Sequence, residues 1–252
     1  MNTTRFGTVR EQPANLRDSR LAHRIENRQI GGSLGAQGIM QDSVNIDPVK
    51  RKLKFDYMKI RNDPASRTAD VFSSLLAHFQ RPQIVVRDLI QEAANLIQKQ
   101  FRLRWTMIGL RSQSDGLYRY EVQIGMRAEA WAHQKSRVYK ESDFDMKGAY
   151  KAAEISKLSR FYAEEDNPLF KEDEQVVNRP VLLRAKRKDE DEVLEADFID
   201  SLILGPGDDL LGWIEYGGTV AGKLPEPTTN RNIEVVAAIL GAAITMQSRR
   251  LQ

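Results

Sequence analysis

The 252-residue sequence predicts an α+β fold, an antiparallel β-sheet flanked by helices, preceded by a mostly disordered basic arm. Three observations carry that prediction. Two pairs of apolar strand-like runs are each joined by a short turn, stretches with a 3.6-residue apolar period stand on both sides of them, and the first 48 residues have few large apolar side chains.

In chain order, residues 1–48 show no sustained period, and their glycine-rich patch "GGSLGAQG" at 31–38 lacks the spacing of a dinucleotide fingerprint and follows no strand. It reads as a linker. The segment 49–63, "VKRKLKFDYMKIRND", interleaves Leu53, Phe55, Tyr57, Met58 and Ile60 with cations. It is open to two readings: an edge strand or docking segment with aromatic rings beside positive charge, or a segment that packs its apolar side on the main domain. Asp63 and Pro64 then mark a helix start, followed by Val71, Leu75, Leu76 and Phe79 at helical spacing until Pro82. A second helix, about 83–100, puts Val86, Leu89, Ile90, Ala93, Leu96 and Ile97 on one stripe. At 102–112 and 117–126 the period becomes that of strands, with Asp115-Gly116 supplying the positive φ of a hairpin turn. Alternation predicts that Tyr118, Tyr120, Val122 and Ile124 share the buried face.

From Arg127 to about Arg160 the pattern is helical with an acidic break at 141–145, and 161–195 is a long charged segment with an apolar island at Val181, Leu182 and Leu183. A second hairpin, 196–205 and 209–218, turns at Pro206-Gly207-Asp208. Thr228 or Thr229 is expected to cap a last helix in which Ile233, Val236, Ala237, Leu240 and Ile244 line one side and Val235, Ile239 and Ala242 make the other side apolar too. Such a helix is covered on several faces, by the fold or by a second subunit. The domains predicted are therefore a basic arm, 1–62, and a folded domain, 63–252.

Composition narrows the function. The net charge is +3, but residues 1–62 hold twelve Lys and Arg against six Asp and Glu, which leaves the rest of the chain at −3. A basic arm fits RNA, DNA, a ribosome or another acidic surface, and it equally fits a solvated tail; Lys50, Arg51, Lys52, Lys54, Lys59 and Arg61 are the candidate contacts. The absence of cysteine excludes thiol nucleophiles, disulfides and cysteine-rich zinc sites. No stretch has the make-up of a signal peptide or a membrane span, so a cytoplasmic protein with no membrane partner is expected.

One stretch imitates a phosphate loop. From Gly217 to Lys223 the chain reads Gly, four residues, Gly-Lys after an apolar run, but Leu224 stands where the motif needs a hydroxyl for magnesium, and Pro225 and Pro227 keep the chain extended where a helix should open. Phosphate binding is not expected there.

The order helix, hairpin, insert, hairpin, helix resembles that of GAF domains. "SDGLYRYEVQIGMRAEA" is similar to the family's second strand and the turn into its insert, and "DFIDSLILGPGDDLLGWIEYGGTVAGKLPEPTTNRNIEVVAAILGAAI" to its closing half; "ISKLSRFYAEEDNP" and "NRPVLLRAKR" look most like GAF proteins of archaea. The resemblance covers roughly 82–248 and leaves 1–62 unassigned. It implies a stand-alone regulatory module for signal transduction that binds a small ligand over the sheet and forms a homodimer through its flanking helices. It also implies that 216–227 is simply the connection into the last helix. The alternative is a nucleic-acid or ribosome-associated factor that binds through the arm and uses the domain as scaffold.

No enzyme is expected. His23, His78 and His133 have no ligand spacing, no Gly-x-Ser-x-Gly elbow occurs, and the acidic runs 164–166, 172–174 and 189–192 read as solvated surface, so neither cofactor nor metal is expected. For the ligand pocket the candidates are Arg160, Tyr162, Asn178, Arg179 and Trp213. The arginine forks suit a carboxylate or phosphate but equally suit ion pairs with the neighbouring acids, and Trp213 is either a stacking surface or, the first reading, core.

Overall fold

The computed structural model describes residues 46–60, 63–145 and 150–250. Contacts divide the chain into Met1–Ile46 and Asp47–Gln252. Of the first unit only Ile46 is described, so the expectations made for the glycine-rich patch, and for Arg61, lie outside the described residues.

The segment expected to be a strand or a packed segment begins as a helix, α1 (Asp47–Ile60), and none of its residues is buried. Leu53, Phe55 and Tyr57 are 65%, 68% and 71% exposed, so the packed reading is corrected as well. The next helix, α2 (Pro64–Ala77), starts as the sequence demands: the Asp63 side chain accepts from Ala65 N at 3.0 Å, and Pro64 occupies the first turn, where its missing N–H costs nothing. A single 3-10 turn separates it from α3 (Val86–Gln100). Of the predicted α3 stripe, Val86, Leu89, Ile90, Ala93 and Ile97 are buried and Leu96 is half-buried.

Both predicted hairpins form. They are β1 (Thr106–Arg111) with β2 (Tyr118–Ile124), and β5 (Phe198–Leu204) with β6 (Leu210–Tyr216). Gly116 has φ +73°, which the Asp-Gly turn requires. The helical pattern expected from Arg127 to Arg160 stops at the end of α4 (Ala128–Ser136), and two strands the sequence reading lacked follow: β3 (Ala153–Glu154) and β4 (Ser159–Tyr162). All six strands pair antiparallel in the order β2-β1-β6-β5-β4-β3. The last helix, α5 (Pro227–Arg250), begins one residue before the expected threonine caps, so both threonines lie inside its first turn.

The sheet has two covered faces. On one, α3 and α5 pack with α2 behind them, burying Ile108, Val122, Ile199, Ile203, Ile214 and Tyr216. On the other lie Met107, Tyr118, Tyr120 and Trp213, under the insert between β2 and β5.

β2 contributes to both faces because of one extra residue. Ile108 faces Val122 but Gly109 faces Tyr120, so Glu121 has no partner and the pleat reverses. Tyr118 and Tyr120 therefore point to the insert while Val122 and Ile124 point to the helices. This corrects the single shared face predicted from alternation.

Candidate functional site

The insert is held over the sheet by carboxylates and amides that bond backbone. Asn178 bridges it to the end of β2: its Oδ1 accepts from Arg127 N at 2.8 Å and its Nδ2 donates to Gly125 O at 2.9 Å. Arg179 clamps Glu195 with its backbone N, Nε and Nη2. Glu164 accepts from the backbone N–H groups of Arg184 and Ala196 and is only 5% exposed. The run 164–166 is thus not all solvated surface, which is a further correction. The apolar island places Val181 in solvent instead, 91% exposed.

Between insert and sheet lies a cavity that admits water-sized spheres over about 100 Å³. That is room for several waters or a small ring, since one water needs roughly 10–15 Å³ by this measure. Its walls are aromatic: Trp213 contacts Tyr120, Tyr139 and Phe144 at centroid separations of 4.9, 5.5 and 5.0 Å, and Tyr162 stacks on Phe198 at 4.4 Å. Gly109 makes this possible, because it faces Trp213 across the β1–β6 ladder and a Cβ there would sit 2.1 Å from the indole.

Two carboxylates form the floor. Asp200 on β5 and Glu215 on β6 are direct cross-strand partners, both 6% exposed and both lining the cavity. Glu215 Oε2 accepts from the Tyr120 hydroxyl at 2.5 Å and from Trp213 Nε1 at 3.4 Å. Asp200 Oδ1 is buried with no hydrogen-bond partner, and neither carboxylate has an ion-pair partner within 4 Å among the described residues. Burial pushes Glu215 up to about 7, against the opposing hydrogen bonds from Tyr120 and Trp213 and the charge of Arg137. Burial first, and then the charge of Glu215, raises Asp200 well above the carboxylate range, with Arg160 opposing. Burial thus disfavours the charged form of both carboxyls.

Of the residues singled out from sequence, Tyr162, Asn178 and Trp213 line this cavity and Arg160 and Arg179 do not. Arg160 lies beside it on β4, opposite Asp200, with Nη1 donating to the Phe144 carbonyl. Trp213 is both core, at 1% exposed, and wall. Sequence reasoning missed Asp200 and Glu215. Their signal was present: each is the lone acid inside an apolar strand, "FIDSLIL" and "LLGWIEY", where both faces are covered.

The loop that imitates a phosphate site is otherwise occupied. Lys223 Nζ pairs with Asp191 at 2.6 Å, and Thr219 Oγ1 donates to Lys223 O at 3.0 Å. On α1, Lys50, Arg51, Lys52, Lys54 and Lys59 are all exposed. Among the described residues no group of His, Asp or Glu is placed to hold a metal ion, and no helix is long and apolar enough to cross a membrane. His78 is 2% exposed, with Nε2 2.7 Å from Glu92 Oε2 on the opposite face of the sheet from the cavity.

The element order, two hairpins separated by an insert and flanked by helices, is the order the sequence resemblance implied. In that order the fold resembles GAF domains. Solved structures similar to it include the GAF domain of a phosphoenolpyruvate-protein phosphotransferase from Acinetobacter (6% identity, 75% of this chain and 96% of that one, TM-score 0.47). The GAF domain of a phosphoenolpyruvate-protein phosphotransferase from Coxiella burnetii is similar at 13% identity over 75% and 96%, TM-score 0.46. A GAF domain/HD domain protein from Geobacter sulfurreducens is similar at 9% identity over 65% and 94%, TM-score 0.45. No protein-family model and no curated protein matches the chain. Likeness at this level concerns the fold and says nothing of ligand or output.

Proposed function

We propose that this GAF-like domain is a non-catalytic regulatory module that binds a small molecule in the cavity between sheet and insert. One observation carries the reading: a small aromatic-walled space ends on two desolvated carboxylates, one of which has a buried oxygen without a partner. Concave sites with mostly apolar walls and a few convergent polar groups are where ligands bind. Among the described residues no histidine, serine or lysine lines the space, which favours binding over acyl transfer or acid–base work by a triad. Homodimerisation through the flanking helices is favoured by the strip of Val235, Ala242 and Met246 that α5 leaves in solvent.

The second reading, nucleic-acid binding by the N-terminal arm, is favoured by α1, where exposed Phe55 and Tyr57 stand among five exposed cations. A thermal-shift screen of the 252-residue chain against a broad metabolite set tests the first reading, with tryptophan fluorescence reporting on Trp105 and Trp213 in the cavity wall. The expected result is a stabilising compound that also changes the fluorescence. A screen with no such compound, together with RNA or DNA binding that falls steeply with added salt, would move the function to the arm.

A further inference from the structure

The cavity floor has the wrong chemistry for an anionic ligand. Among the described residues, Arg137 in the lining donates to Asp173 at 2.7 Å, and Arg160 beside it donates to the Phe144 carbonyl. The third acid in the lining, Glu195, is matched by Arg179 at 2.6 Å, with Arg104 at 3.9 Å. Asp143, also in the lining, accepts from Lys140 N at 2.8 Å. Among the described residues Asp200 and Glu215 remain without an ion-pair contact within 4 Å, side by side on adjacent strands and aimed at the same space.

A buried carboxylate oxygen with no donor costs free energy that a ligand N–H would recover. Rings close around the same point, and aromatic faces attract cations through their quadrupole, most strongly where water is excluded. The Tyr120 and Trp213 donors already hold Glu215 Oε2, so the open acceptor is on Asp200.

Resting on the reading of this cavity as a ligand site, we infer that its ligand is a small organic cation, a planar amidinium, guanidinium or protonated amine on an apolar body, with its N–H groups on Asp200 and Glu215 and its body against Tyr162, Phe198 and Trp213. A planar cation with two N–H groups matches paired carboxylates in both charge and geometry. Binding also brings a positive charge against the pair, so a carboxyl that is protonated beforehand ionises as the ligand enters and its one proton is released to solvent.

Three probes of nearly equal shape and different charge test this: benzamidine, benzamide and benzoate, titrated into the full chain and followed by tryptophan fluorescence and melting temperature. Benzamidine should bind and raise the melting temperature, benzamide should bind at least about tenfold more weakly, and benzoate should not bind. Asp200→Asn should weaken benzamidine roughly ten- to hundredfold, the effect of losing a charge-assisted hydrogen bond, while melting cooperatively at or above the wild-type temperature. Glu215→Gln, which keeps an acceptor for Tyr120 and Trp213, serves as the second variant and should weaken benzamidine in the same direction. Benzoate binding as tightly as benzamidine, or benzamidine affinity unchanged in both variants, would overturn the inference. Benzamide or benzoate binding with benzamidine silent would overturn it while leaving the cavity a ligand site; silence of all three together with an empty metabolite screen would overturn the cavity reading as well.

Discussion

Replacing Glu215 by Gln should make the protein less sensitive to pH between about 4.5 and 7. The carboxyl has an ordinary value of 4.5 and is pushed to about 7 by burial in the sheet. Below 4.5 the group is protonated in both folded and unfolded chains and contributes nothing to the difference. Between 4.5 and 7 the unfolded chain releases the proton that the folded chain retains, so stability falls as pH rises, and above 7 the loss is complete. A rise of this size corresponds to about 3 kcal/mol. Gln keeps an acceptor for Tyr120 and Trp213 but has no proton to lose. Burial, the first cause of the raised value of Asp200, is the same in both proteins.

The stability difference between variant and wild type should therefore move in the variant's favour by about 3 kcal/mol from pH 4.5 to pH 8. For a domain of this length that is roughly 6–12 °C in melting temperature. Urea denaturation of both proteins at pH 4.5, 6 and 8 measures it, and subtracting the two curves removes carboxylates titrating in common, such as Glu165 and Asp209, whose values are lowered by Arg187 and Arg111. Parallel stability profiles would refute the argument, because Glu215 would then be solvated or paired.

Other substitutions test the frame around the site. Gly109→Ala should cost about 1–3 kcal/mol or more and shift the tryptophan fluorescence, because its Cβ would lie 2.1 Å from a Trp213 ring carbon; unchanged emission and stability would mean that the indole does not rest on β1. Glu234→Ala should cost about 1–3 kcal/mol in chemical denaturation, because Glu234, 7% exposed, accepts from Ser159 Oγ at 2.9 Å and from Ser156 Oγ; Ser156 would lose its acceptor and Ser159 would keep only Ser201. Lys223→Ala should leave the melting temperature and any nucleotide affinity unchanged, because the ammonium pairs with Asp191 in solvent; a loss of ATP binding would reinstate the phosphate loop.

Where a segment's own pattern decided its structure, the sequence was legible. Asp63-Pro64 starts α2, Asp115-Gly116 turns the first hairpin, and the α3 stripe is the stripe that is buried. Elements that depend on distant partners were not legible. β4 is four residues long, and what makes it a strand is pairing with β5, whose partners lie 36 to 42 residues away in sequence, where Ser159 meets Ser201 and Arg160 meets Asp200. The bulge at Glu121 changes which face Tyr118 and Tyr120 occupy, and a strict period of two cannot encode an extra residue. α1 was misread because Leu53, Phe55 and Tyr57 alternate like a strand, while Val49, Leu53, Tyr57 and Ile60 repeat like a helix. The candidate site was half legible. Tyr162, Asn178 and Trp213 line the cavity, Arg160 and Arg179 beside it bond Phe144 and Glu195, and the carboxylates at the floor were hidden as single acids within apolar strands.

Occupancy of the cavity is tested most directly by native mass spectrometry of the full-length chain isolated gently from its own cells, compared with Asp200→Asn prepared in the same way. The account predicts a discrete small-molecule adduct on the wild type that denaturation releases and that is absent or much reduced on the variant. A wild-type protein of bare polypeptide mass, with RNA or ribosomal proteins co-purifying, would contradict it and place the function in the N-terminal arm.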